Sequence, residues 1–158
     1  MKFTHDTVVI LGLGLIGGSL ARALRASGFS QRFTGYGHRE PSLRKGVELG
    51  VIDDFTLDLE EAVAQADIMV ICTPTLTAGK VLTEILPLLS GQKSGPVITD
   101  AASVKGSLRD AALAANGVMP AQLVLGHPIA GSERSGVDAS AADLFEKHRV
   151  ILTPVEGN

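Results

Sequence analysis

Cysteine is nearly absent. Cys72 is the only one in 158 residues, which excludes an internal disulfide and leaves no pair of thiols spaced for a metal ion. A reducing cytoplasm is the simplest home for such a chain. An excess of basic charge is missing too: 14 Lys and Arg stand against 17 Asp and Glu, a net charge of −3, so nothing favours nucleic acid or an anionic membrane surface as a partner. No apolar run approaches the roughly 18 residues of a membrane-spanning helix, and the polar residues 1–6 lead straight into an apolar strand without the pattern of a secretion signal. Internal repeats, low-complexity tracts and linkers are also lacking. What remains is an ordinary globular composition, 45% hydrophobic and 20% charged. A single domain of this length buries about two-thirds of its unfolded surface and needs no covalent staple.

Glycine, by contrast, is plentiful, and its placement near the N-terminus is informative. Thr7-Val8-Val9-Ile10-Leu11 has the length and β-branched content of a parallel strand covered on both faces. It runs directly into Gly12-Leu13-Gly14-Leu15-Ile16-Gly17 and a helix rich in small residues. In this strand-turn-helix pattern Gly12 permits the sharp turn, Gly14 lets the backbone approach a pyrophosphate, and Gly17 lets the helix press on the strand. The bare N–H groups and the dipole at the helix start attract phosphate. The pattern points to a dinucleotide site.

Beyond the turn, strands and helices alternate. A helix is expected over 15–27, stopped by Gly28, then a short strand over 33–36 and a helix over 41–49 with Pro41 in its first turn and Gly50 past its end. Asp58 and Glu61 have the spacing of a capping box for a helix ending near Ala66. A buried strand over 68–72 precedes Thr73-Pro74 and a helix over 78–89, whose last turn Pro87 should distort. A strand over 97–99, a helix over 103–116 with Ser103 as its cap, and a strand over 123–125 follow. After His127 the pattern loosens into a loop with a short helix near 141–146 and a late strand at 150–152, within about 149–154. The order predicts an α/β fold of Rossmann type: a doubly wound, mostly parallel sheet with helices on both faces, forming one domain over 1–158.

In such a sheet ligands lie beyond the carboxyl ends of the strands. Those ends carry Gly12 to Gly17, Gly37 to Arg39, Thr73-Pro74, Asp100 to Lys105, and His127 to Glu133. His127 is a candidate general base, because an imidazole can take a proton at neutral pH; capping its strand is the competing role. Ser103 has two roles open as well, helix cap and substrate contact. Cys72 reads as a small core residue. At the end of the second strand a dinucleotide fold normally places the residue that reads the adenosine ribose, with Asp or Glu favouring NAD. Here Gly37 takes that place and His38-Arg39 follow, which suits a 2′-phosphate. NAD and NADP therefore both stay open, and His38 and Arg39 as solvated loop charges remain the alternative.

Taken together, Gly12 to Ser19, Cys72-Thr73-Pro74, Thr99-Asp100-Ala101-Ala102-Ser103-Val104-Lys105 and His127-Pro128-Ile129-Ala130-Gly131-Ser132-Glu133 resemble the prephenate dehydrogenase family, which includes the arogenate and cyclohexadienyl dehydrogenases of tyrosine biosynthesis. The resemblance implies an NAD(P)-dependent oxidative decarboxylation of prephenate or arogenate, giving 4-hydroxyphenylpyruvate or tyrosine. His127 would accept the hydroxyl proton and Ser103 would orient His127 or the substrate hydroxyl, while Gly131, Ser132 and Glu133 would belong to a loop guarding the substrate. The cofactor set it implies is Gly12, Gly14, Leu15, Ile16, Gly17, Gly37, His38, Arg39, Cys72, Thr73, Pro74, Asp100 and Ser103, with no metal. Two departures stand out: the family usually has an acid where this chain has Gly37, and its members continue into a helical domain that forms a homodimer and completes the pocket, expected after residue 158. Other readings are a dehydrogenase of β-hydroxyacid type, which would not require His127-Pro128-Ile129-Ala130-Gly131 after the sixth strand, and a non-catalytic NAD(H)-sensing module, which has no use for Ser103 together with His127.

Overall fold

The computed structural model describes residues 5–92 and 94–154. Its elements are β1 (His5–Leu11), α1 (Leu15–Ala26), β2 (Ser30–Tyr36), α2 (Glu40–Glu48), β3 (Asp54–Thr56), α3 (Leu59–Ala64), β4 (Ile68–Ile71), α4 (Thr75–Leu88), β5 (Val97–Asp100), α5 (Lys105–Asn116), β6 (Leu123–Pro128), a 3₁₀ turn (Val137–Ala139) and β7 (Val150–Thr153). The strands form one sheet in the order β3-β2-β1-β4-β5-β6-β7. Every pairing is parallel except the last, where β7 runs antiparallel to β6. From β1 the chain builds outward to β3, then returns to place β4 on the other side. That reversal between β1 and β4 opens a crevice at the carboxyl edge of the sheet.

The run Val8-Val9-Ile10-Leu11 is apolar throughout because both its faces are covered. Alternate side chains enter different cores. Val9 and Leu11 join Met69, Ile71 and Ile98 beneath Leu82 and Ile85 of α4 and Leu108 of α5. Val8 and Ile10 join Phe33, Leu43 and Val70 on the face that α1 and α2 cover. Among the described residues no helix is long and apolar enough to cross a membrane, and no group of three metal-ligating side chains converges.

The doubly wound sheet is the one expected, with several local differences. Strand β2 begins at Ser30, earlier than the apolar pattern shows, and the three-residue β3 has no periodicity to announce it. Asp58 does cap α3, accepting from the N–H groups of Glu60 and Glu61, but the reciprocal half of the box is missing. Instead Thr56 Oγ1 accepts from the N–H of Asp58 at 3.0 Å, and Glu61 pairs with the Thr56 hydroxyl. Helix α4 starts at Thr75, immediately after Pro74. Helix α5 starts at Lys105 with Val104 in the cap position, so Ser103 caps nothing. The short helix expected at 141–146 is replaced by the 3₁₀ turn at 137–139 and by further tight turns, closed by bonds from Leu144 N–H to Ala141 O and from Glu146 N–H to Asp143 O. Strand β6 runs on to Pro128, so His127 lies within the strand, opposite Ile151, and not in the loop after it. The antiparallel partner β7 extends it, a tertiary effect invisible in a local pattern.

Candidate functional site

A cleft of about 950 Å³ opens at the switch point between β1 and β4, a size suited to a small-molecule ligand. Its floor is the glycine turn. Gly12 has φ +93°, and a Cβ there would lie 2.8 Å from Thr73 Cγ2 and 2.9 Å from Thr73 N, so no side chain fits. A Cβ on Gly17 would collide with the carbonyl oxygen of Gly12, which is how α1 seats itself on the strand. Gly14 differs: a Cβ there meets nothing within 4 Å, since the space above it is the cleft itself.

The first intrahelical bond of α1 runs from Gly18 N–H to Gly14 O at 2.9 Å. The N–H groups of Leu15, Ile16 and Gly17 thus receive no partner from the helix, and neither a capping side chain nor an acidic residue stands in the first turn. Thr73, at the carboxyl end of β4, adds to the same lining a buried hydroxyl that has no hydrogen-bond partner among the described residues. At the end of β2 the cleft is bordered by Tyr36, Gly37, His38, Arg39 and Ser42. Burial, with the charges of Glu84 and Asp58 adding to it, pushes the Tyr36 phenol above its ordinary range, so it stays protonated. Among the described residues the lining holds two arginines, Arg39 and Arg134, and no carboxylate.

The expected residues are brought together unevenly. Gly12, Gly14, Leu15, Ile16, Gly37, His38, Arg39, Cys72, Thr73, Pro74 and Ser103 line the cleft. Gly17 lies just beneath it. Burial, and then the Asp100 charge, push the Cys72 thiol up to about 12, so it stays protonated. Asp100 stands apart from the lining, its carboxylate committed to backbone. One oxygen accepts from Gly126 N–H at 3.0 Å, the other from Ala102 N–H at 3.0 Å, and Lys105 closes the group by donating to Asp100 and to the carbonyl oxygen of Gly126. This clamp joins the ends of β5 and β6 to the start of α5. Ser103 and His127 each follow a clamped residue, so one buried ion pair sets the backbone of both. His127, Gly131, Ser132 and Glu133 do not border the cleft, and the last three are exposed. Lining residues that the sequence did not single out include Tyr36 and Ser42 beside the end of β2, Thr75, Thr77 and Val81 of α4, and Arg134, Ser135 and Gly136 after β6. A cation in a glycine-bounded loop after β6 was the available signal, but nothing local shows that the loop returns over α1.

Comparison with known proteins gives a consistent result. Residues 20–158 match the family model described as the prephenate dehydrogenase nucleotide-binding domain. A cyclohexadienyl dehydrogenase from Zymomonas mobilis is 37% identical over 153 residues, 96% of this chain and 50% of that protein. Among solved structures, prephenate dehydrogenase from Aquifex aeolicus in complex with hydroxyphenyl propionate and NAD+ superposes with a TM-score of 0.86 at 34% identity, over 99% of this chain and 53% of that one. Arogenate dehydrogenase from Synechocystis superposes with a TM-score of 0.80 at 32% identity, over 95% of this chain and 50% of its own. The chain therefore spans about half the length of the relatives it matches.

Proposed function

Because the chain belongs to the prephenate dehydrogenase family, matching its nucleotide-binding domain, we propose that it binds a nicotinamide dinucleotide in the β1–β4 cleft and takes part in oxidative decarboxylation of prephenate or arogenate. The observation that carries this reading is the first turn of α1, with bare N–H groups facing open space over Gly14. The residues present fit the group. A helix start of this kind takes a pyrophosphate, Thr73 offers an unpaired hydroxyl, and no carboxylate in the lining repels the anion.

The bound cofactor supplies the hydride acceptor, while the substrate ring loses carbon dioxide and becomes aromatic. The chain's own part is positioning and proton handling. Ser103 borders the cleft and in this reading holds the substrate hydroxyl. His127, on the neighbouring strand and fixed through the Asp100–Lys105 clamp, is the proposed proton acceptor. The loop carrying Gly131, Ser132 and Glu133 covers the substrate side in this reading.

The end of β2 favours acceptance of NADP beside NAD. Gly37 places no carboxylate against a 2′-phosphate, and His38, Arg39 and Ser42 border that corner. Arg39→Ala is expected to weaken NADPH binding about tenfold, the worth of one charge-assisted hydrogen bond, and to leave NADH within about twofold. Gly37→Asp should shift preference towards NADH by repulsion. Fluorescence titrations with both nucleotides measure the ratio, and a ratio unchanged by Arg39→Ala would refute the 2′-phosphate assignment.

A further inference from the structure

We propose that Arg134, from the loop between β6 and β7, binds the pyrophosphate of the dinucleotide and completes the anion site begun by the glycine turn. The proposal rests on the reading of the cleft as a nucleotide site. Its first support is the path of the loop. Val137 is 3% exposed and belongs to the same core cluster as Ile10 and Leu13. Ser140 presses on α1, where a Cβ on Gly18 would lie 2.9 Å from Ser140 Cβ and 3.3 Å from Val137 Cγ2. Ser19 Oγ accepts from Ala141 N–H at 3.0 Å, and Arg22 Nε donates to Ser140 Oγ at 2.9 Å. The segment 137–141 is thereby stapled along the first two turns of α1. Residues 134–136, just before it, are held beside Gly12 to Ile16, and all of them border the one cleft.

Charge is the second support. The chain carries net charge −3, yet its acids are kept out of this lining. Arg39 belongs to the corner at β2. Arg134 is the lining's other arginine, and no ion pair engages it among the described residues. Its backbone is set by a bond from its N–H to Ser132 Oγ at 3.2 Å. A helix start contributes only about half a charge, whereas a pyrophosphate carries two. A guanidinium matches two phosphate oxygens at once, which an ammonium does not.

The test is equilibrium binding of ADP-ribose and of NADH to the chain and to Arg134→Ala and Arg134→Lys. Arg134 is exposed, so all three proteins should melt alike. Arg134→Ala is expected to bind both ligands about tenfold more weakly, Arg134→Lys to recover part of the loss, and rising salt to narrow the gap between wild type and Arg134→Ala. ADP-ribose affinity within twofold of wild type in Arg134→Ala would overturn the proposal. So would a loss seen with NADPH, titrated in parallel, but not with NADH, which would move the arginine to the 2′-phosphate. Failure of the wild type to bind either ligand would overturn the nucleotide reading itself, a result distinct from both.

Discussion

In urea titration Lys105→Met is expected to unfold about 3 kcal/mol more easily than wild type. The Asp100 side chain has no solvent exposure and Lys105 only 18%. Removing the ammonium leaves a buried carboxylate with two backbone N–H groups but no counter-charge, and the Gly126 carbonyl loses its donor. Breaking such a pair from one side costs about 3–5 kcal/mol, and the lower end applies because Lys105 keeps some contact with water. The double replacement Asp100→Asn with Lys105→Met should recover part of the loss by removing the stranded charge. A midpoint for Lys105→Met within experimental error of wild type would show that the clamp does not hold the two strand ends.

The largest kinetic effect is expected at His127. In a catalytically complete protein carrying these residues, His127→Asn should lower kcat for prephenate or arogenate by about 10² to 10⁴, the range of a positioned general base. Asparagine retains hydrogen-bonding capacity but cannot take the hydroxyl proton, so nucleotide affinity should change little. Steady-state kinetics beside a binding titration separates the two. A near-normal kcat would remove His127 from the reaction and leave it a residue of the β6–β7 pairing, opposite Ile151. A matching loss of nucleotide affinity would instead assign it to cofactor binding.

The fold was legible because a parallel sheet covered on both faces writes itself as short apolar runs, and Val8 to Leu11 and Ile68 to Ile71 are such runs. The glycine turn was legible for a different reason. Gly12 and Gly17 occupy places that backbone and neighbouring side chains close to any Cβ, and only one residue type answers to that. What could not be read locally depends on partners distant in sequence. Strand β6 is longer than its apolar core because β7 pairs with Gly126 to Pro128. Ser103 looked like a helix cap because serine commonly is one, but α5 begins two residues later, where Lys105 pairs with Asp100. Arg134 has no local signal that ties it to the cleft, because its place is fixed by Ser140 and Ala141 binding α1 more than 110 residues away in sequence.

Whether the cleft over Gly14 holds the pyrophosphate of a nicotinamide dinucleotide is decided by calorimetric titration of NADH into wild type and Gly14→Val. The substitution isolates the site. Gly14 has φ −112° and an extended conformation that any residue adopts, and its Cβ would meet no protein atom within 4 Å. The fold should therefore be unaffected while the valine branch occupies the space of the phosphates. Wild type is expected to show saturable one-site binding and Gly14→Val at least about 100-fold weaker binding, a difference of roughly 2.7 kcal/mol, with the same melting temperature. Equal affinity in the two proteins would contradict this placement of the pyrophosphate.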